Sequence, residues 1–191
     1  MEAKGLELDR IRYITVEEYK RFLDVVKKKS KRFYYAFLIC GNLGLRVREL
    51  VSLKYGDFDL VKNTVTIKTL KQKGKDIYDT IEFDPSLGGI LKKFFNNHKP
   101  DELIFDLSVR QMQRMFDKYA RDCDLKIKGT GNRKGRGIHC LRHLKGLMIA
   151  QQTKDPYVIA KLMRHRNIST SLSYIHLLDI KKTVQNIGII K

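Results

Sequence analysis

Acidic residues are scarce in this chain. Asp and Glu number 21 against 39 Lys and Arg, so the formal charge at neutral pH is +18. A field of that sign and size points to a polyanionic partner, nucleic acid before an anionic membrane. Long hydrophobic runs are missing too: no stretch approaches the roughly 18 to 20 apolar residues of a spanning helix, and no signal peptide precedes the charged start "MEAKGLELDR". The expected setting is intracellular, cytoplasmic and DNA-associated, with no membrane contact. Cysteine is sparse: Cys40, Cys123 and Cys140 form no C-x-x-C pair and leave an odd thiol in any pairing scheme. That excludes a disulfide framework and predicts three reduced thiols without a special role. No obvious cluster of carboxylates could hold an ion, which disfavours a metal-dependent nuclease. Internal repeats, long linkers and low-complexity tails are absent as well.

What is present reads as one domain of 191 residues, mainly α with a small antiparallel β-sheet, an α+β class. "ITVEEYKRFLDVVKKK" opens with Thr15 three residues before Glu18, a capping box, and continues with Tyr19, Phe22, Leu23 and Val26 at helical spacing. The next segment predicts a buried helix to about Cys40, a break at Gly41 and Gly44, and a restart near Arg46. From Thr64 to Phe83, β-branched and aromatic residues flank a lysine-rich centre around Gly74, the pattern of a β-hairpin whose turn carries Lys71, Lys73 and Lys75. Helices are expected from Pro85 to about Asn97, Ser108 to about Cys123, and His139 to Gln151. Another is expected from Asp155-Pro156, where Asp suits the cap and Pro the first helical position. A short last helix capped by Ser169 or Thr170 would carry Tyr174. Loop 128–137, "KGTGNRKGRG", places Lys128, Arg133, Lys134 and Arg136 among glycines, so its backbone can approach phosphates closely.

Several polar residues sit badly in apolar surroundings: Arg46 after "GNLGL", His139 and Arg142 in "HCLRH", His165 after "AKLMR", and Tyr174 in "TSLSYIHLL". Each alone has an ordinary structural explanation, so the case rests on the set. Two arginines, two histidines, a lysine and a tyrosine are what phosphodiester transfer without metal requires. Arginines hold the non-bridging oxygens in forked geometry and offset the charge of the phosphorane. A histidine takes the nucleophile's proton and a lysine protonates the leaving alkoxide. The phenol, with an ordinary pKa of about 10, needs a base or a positive field to react.

These residues resemble the catalytic domain of the tyrosine recombinase (phage integrase) family. "GLRVREL" at 44–50, "HCLRH" at 139–143, the lysine hairpin and "LMRHRNISTSLSY" at 162–174 carry the likeness, with His165 nine residues before Tyr174; it spans about Tyr13 to His176. The resemblance implies that Arg46 and Arg142 clamp the phosphate and that Glu49 supports the site. His139 is then the general base, His165 the group that bonds or packs against a non-bridging oxygen, and Tyr174 the nucleophile. Lys71 best fits the family's hairpin lysine, with Lys68, Lys73 and Lys75 as competitors. Lys73, Lys75, Arg133, Lys134 and Arg136 become candidate DNA-backbone contacts. The activity implied is site-specific strand exchange through a 3′-phosphotyrosyl intermediate. It needs no metal, cofactor or ATP, and acts on double-stranded DNA within a homo-oligomer, a tetramer.

Departures and rivals frame these expectations. Where the family usually has "LGH", this chain has Met163-Arg164-His165, which changes the helix end and adds a charge. The amino-terminal DNA-clamping domain of most members is not expected in this chain. His139 and His143, one helical turn apart, also suit a metal pair, but no Glu lies between them and no second Cys/His pair follows, so His143 reads as structural. The rivals are a type IB topoisomerase-like relaxing enzyme, which reseals the same strand, and a non-catalytic DNA-binding or regulatory module, which would lack at least one catalytic group. The segment 177–191 is apolar enough to close the chain's own core or to dock on a neighbouring protomer, the second being preferred. A lysine-rich composition fits an archaeal or thermophilic mobile element, a virus or plasmid.

Overall fold

The structure is a computed structural model that describes residues 11–72, 75–96, 98–127 and 137–186, without the side chains of 70–72, 75 and 180–186. The first helix, α1 (Val16–Lys29), begins as its sequence requires. Thr15 Oγ1 accepts from the Glu18 amide at 3.2 Å while the Glu18 carboxylate accepts from the Thr15 amide at 2.7 Å. Phe22, Leu23 and Val26 are buried on one face, and Lys27 to Lys29 lie over the negative C-terminal end of the helix dipole. Ser30 ends α1 and caps α2 (Lys31–Leu43).

The expected break at Gly41 does not occur. Helix α2 runs through it because the missing side chain makes room for the Tyr19 phenol, which donates to the Phe37 carbonyl at 3.0 Å. The helix stops at Gly44, whose φ of +61° is left-handed and suits glycine. Helix α3 (Val47–Ser52) restarts at Arg46 as expected.

A three-stranded antiparallel sheet follows, in the order β1 (Phe58–Asp59), β2 (Thr64–Gln72), β3 (Lys75–Glu82). The β2–β3 hairpin matches the sequence reading, with Val65 opposite Ile81 and Ile67 opposite Asp79. The two-residue β1 was not foreseen, being too short to show any alternation. Lys73, Arg133, Lys134 and Arg136, expected from sequence to contact the DNA backbone, lie outside the described residues, as do the side chains of Lys71 and Lys75.

The remaining helices are α4 (Pro85–Phe94), α5 (Val109–Asp122), α6 (His139–Thr153), α7 (Pro156–Met163) and α8 (Ser169–Asn186). Asp155 caps α7 by accepting from the amides of Tyr157 at 2.7 Å and Val158 at 3.4 Å, with Pro156 in the first turn. The last helix is longer than expected, 18 residues, and Asn167 Oδ1 accepts from the Ser169 amide at its start.

Two apolar clusters divide the interior, and α6 belongs to both. Cys140, Leu141 and Leu144 face the larger one with α1, α2, α3 and α5; Leu147, Ile149 and Ala150 join Ile11, Tyr13, Ile159, Met163 and Tyr174 in the smaller. Leu177 and Leu178 pack against this smaller cluster within the same chain. Helix α6 contacts α2, α7 and α8, so residues on it meet side chains from both ends of the sequence.

Candidate active site

Helices α2 and α7 end at the same place, and their last carbonyls have no partner within their own helices. Two arginines use them. Arg142, buried on α6, donates to the carbonyls of Gly44 and Met163. Arg46, at the start of α3, donates from Nη2 to the Arg164 carbonyl at 3.0 Å and from Nη1 to Glu49 Oε1 at 2.7 Å. Both forks are therefore set before any ligand arrives. Burial, then the charges of Arg46 and Arg164, pulls the Arg142 pKa down to about 10, still charged at neutral pH.

Glu49 is the anion that holds this cationic cluster together. Its carboxylate is 2 % exposed and accepts from the Arg46 amide at 2.8 Å, from Arg46 Nη1, and from Arg164 Nη2 at 3.0 Å. Burial alone would raise its pKa, but the Arg164 charge and the Arg46 hydrogen bonds outweigh burial and hold the carboxyl below its ordinary value. Three guanidiniums facing one carboxylate leave two positive charges uncompensated around an open cleft.

Arg164 was read from sequence only as a departure; the structure places its side chain inside the site. The residue ends α7 in a left-handed conformation, φ +54°, where a glycine would sit without strain. Its side chain is 7 % exposed, touches Glu49 and the Gly44 carbonyl, and keeps a buried Nε without a partner. A guanidinium ordered by Glu49 offsets the cost of the backbone.

Tyr174 reaches this cluster from α8. It is 1 % exposed, and its ring lies on α6 where Gly146 leaves room: a β-carbon there would stand 2.7 Å from Cζ. His165 stacks on it with rings 4° from parallel and centroids 5.9 Å apart, and is itself fixed by Ser171 Oγ at 2.8 Å from Nδ1. Burial raises the phenol to about 12, while Arg142 and Arg46 pull the other way. Burial first, then Arg142, Arg46 and Arg164, lowers His165 to about 4, so it is neutral at pH 7.

The reading of His143 as merely structural needs correction. Its Nδ1 lies 2.8 Å from the Tyr174 hydroxyl. Burial, then His139, Arg142 and His165, lowers its pKa to about 4. Its partner lies 31 residues further along the chain, so no local spacing signals the contact.

Two adjoining cavities meet at Arg46 and Thr69. One, about 740 Å³, is lined by Arg46, Arg164, His165 and β3; the other, about 420 Å³, by Arg46, Glu49, Lys68, Thr69 and His139. Lys68 faces this second cavity and is bound to Asp76 at 2.6 Å, so among the hairpin lysines with described side chains it stands at the site. The structure thus brings together Arg46, Glu49, His139, Arg142, His165 and Tyr174 with Lys68 of the lysine candidates, and adds Arg164 and His143. Among the described residues no three His, Cys, Asp or Glu gather as a metal site, and no helix is long and apolar enough to cross a membrane.

Comparison with known proteins gives the same architecture a family. The XerC tyrosine recombinase of Caldanaerobacter subterraneus is 30% identical over 94% of the chain and 51% of its own length. The XerA tyrosine recombinase of Thermococcus kodakarensis is 29% identical over 84% of the chain and 56% of its own. The chain spans about half the length of these curated relatives. Among solved structures, the fold matches the XerH site-specific recombinase in a post-cleavage complex with DNA at TM-score 0.72, 21% identity, 99% of this chain and 55% of that one. It matches the catalytic domain of bacteriophage HP1 integrase at TM-score 0.68, 15% identity, 94% of this chain and 97% of that one. The family model described as the phage integrase family covers residues 12–180. The chain belongs to the phage integrase family, the tyrosine recombinases.

Proposed function

We propose that this chain cleaves and rejoins DNA at specific sites, with Tyr174 as the nucleophile. The observation that carries this is the placement of the Tyr174 phenol beside Arg46 and Arg142, which backbone carbonyls hold in position. Arg46 and Arg142 receive the non-bridging oxygens. The two uncompensated charges of the cluster match the dianionic phosphorane better than the monoanionic ground state, which is the differential binding that lowers a barrier. The Tyr174 phenol gives its proton to a histidine of the "HCLRH" motif as Oη bonds to phosphorus, the bond to the 5′ oxygen breaks, and that oxygen takes a proton from a hairpin lysine, Lys71 by the family pattern. The 3′-phosphotyrosyl bond stores the energy for rejoining, so neither metal nor ATP enters. Attack by a partner strand's 5′-hydroxyl makes the outcome strand exchange and not relaxation.

In the same reading, Lys73, Lys75, Arg133, Lys134 and Arg136 neutralise the DNA backbone. The active form is a homo-oligomer on DNA, a tetramer, with the part of segment 177–191 beyond Leu178 as its contact, since Leu177 and Leu178 pack within their own chain. The lysine-rich composition supports an origin in a mobile element. The test uses nicked duplex DNA with a randomised core, incubated with the chain in EDTA and resolved on a denaturing gel. A covalent band present for the wild type and lost in Tyr174→Phe is expected. A band that survives in Tyr174→Phe, or tight DNA binding with no band from the wild type, contradicts the reading.

A further inference from the structure

The family resemblance gives the general-base role to His139, yet the nucleophile's hydrogen-bond partner in this structure is a different histidine. We propose that His143 is the group that takes the proton from Tyr174 when the phosphotyrosyl bond forms and returns it when the bond is broken. The inference deepens the function proposed above and rests on it.

Geometry carries the assignment. His143 Nδ1 is 2.8 Å from Tyr174 Oη, within the range for a base acting on the proton it removes. The phenol is held in that position from three sides. Its ring lies on Gly146 of α6, His165 stacks on it, and the ring belongs to the smaller apolar cluster with Leu147, Ala150 and Ile159. His139 stands a full turn away on α6 and lines the other cavity with Arg46, Glu49 and Lys68. That position suits the phosphate or the leaving group.

The step balances. The phenol proton passes to His143 Nδ1, the Oη lone pair bonds to phosphorus, and the 5′ oxygen leaves with a proton from the lysine. In rejoining, an incoming 5′-hydroxyl gives its proton to the lysine amine that cleavage left neutral and attacks phosphorus, the bond to Tyr174 Oη breaks, and the imidazolium of His143 returns the phenol its proton. Before DNA binds, His143 is neutral and weakly basic, because burial and the neighbouring His139, Arg142 and His165 disfavour its charge. A phosphodiester entering the arginine cluster brings the negative charge that favours imidazolium. Proton transfer is thus tied to the presence of substrate, and the free enzyme keeps its phenol protonated.

The assignment requires His143 to be the Nε2–H tautomer, with Nδ1 as acceptor. Nitrogen-15 NMR of the wild-type chain reads this directly: an Nε2–H pattern that changes in Tyr174→Phe is expected, and an Nδ1–H pattern overturns the proposal. The kinetic test compares wild type with His143→Asn, whose side-chain oxygen can still accept from the phenol but cannot take its proton. The substrate is the nicked randomised-core duplex. Adduct formation at pH 7 should fall by about 10²–10³, and the deficit should shrink as pH rises toward 9.5, where hydroxide replaces the missing base. A loss below threefold, or one independent of pH as a purely structural role gives, overturns the proposal. A wild type that reacts alongside a His143→Asn chain that keeps pace refutes the base alone. A wild type that forms no adduct refutes strand cleavage, and this inference with it.

Discussion

Replacing Glu49 by Gln removes one negative charge and almost no volume from the centre of the arginine cluster. The carboxylate is 2 % exposed and receives three hydrogen bonds, two from Arg46 and one from Arg164. Removing one partner of a buried ion pair costs about 3–5 kcal/mol, because the other charge is left uncompensated. The Gln carbonyl still accepts one bond, and Arg46 is 29 % exposed and so partly solvated, so the lower end, about 3 kcal/mol, is expected. For a chain of this size that is a fall of roughly 6–12 °C in Tm. The sign with pH follows from the depressed Glu49 pKa. The wild-type advantage is fully present above the unfolded carboxyl value of about 4.3 and is lost as pH falls through the lower folded value. Thermal melts of both chains from pH 8 down to 3.5 measure it. Millimolar sulfate should stabilise Glu49→Gln more than wild type, since an anion can take the vacated place. A Tm within 2 °C of wild type at pH 7, or a gap that widens in acid, would refute the idea that Glu49 holds the cluster through its charge.

Arg164→Gly relieves the left-handed backbone by about 1 kcal/mol but loses a charged hydrogen bond of about 1.5–3 kcal/mol to Glu49. Melts should show a small net loss of stability, and adduct assays a slower cleavage with DNA binding little changed; unchanged cleavage would remove Arg164 from the site. Gly146→Ala should free Tyr174 from His143, because its β-carbon meets the phenol ring; loss of adduct without loss of helix content by circular dichroism is expected. Stability should rise from pH 4 to 6.5, since His143 and His165 are protonated in the unfolded chain over that range and neutral in the folded one; urea titrations at several pH values check this, and His143→Asn should remove about half of the slope the two histidines give. Among the three thiols, Cys123 should react first with a thiol reagent, since burial raises all three but Cys40 (to about 12) and Cys140 far more, and only Cys123 is part-exposed.

Much of the fold was legible because local rules and tertiary packing agree. The Thr15–Glu18 capping box, the Asp155-Pro156 start and the hairpin alternation each pointed to the element found. Gly41 and Gly44 show where local reading stops: both look like helix breakers, but Gly41 serves a packing contact with Tyr19, 22 residues away in sequence, and only Gly44 serves a turn. The site was legible as a set of residue types, since phosphate chemistry restricts what can replace arginine or tyrosine. Its wiring was not. Which carbonyl orders which guanidinium depends on α2 and α7 ending at one point, and no spacing records that. His143 and Arg164 were missed for the same reason: the partners that define them, Tyr174 and Glu49, lie 31 and 115 residues away in sequence.

The measurement that bears most directly on the account is the identity of the residue joined to DNA. Adduct trapped on the nicked duplex in EDTA, digested with nuclease and trypsin, should yield the peptide from Asn167 to Lys181 carrying a nucleotide 3′-phosphate, with fragment ions placing the phosphate on Tyr174. A phosphate on a serine of that peptide, on any other residue, or undiminished in Tyr174→Phe would contradict the account.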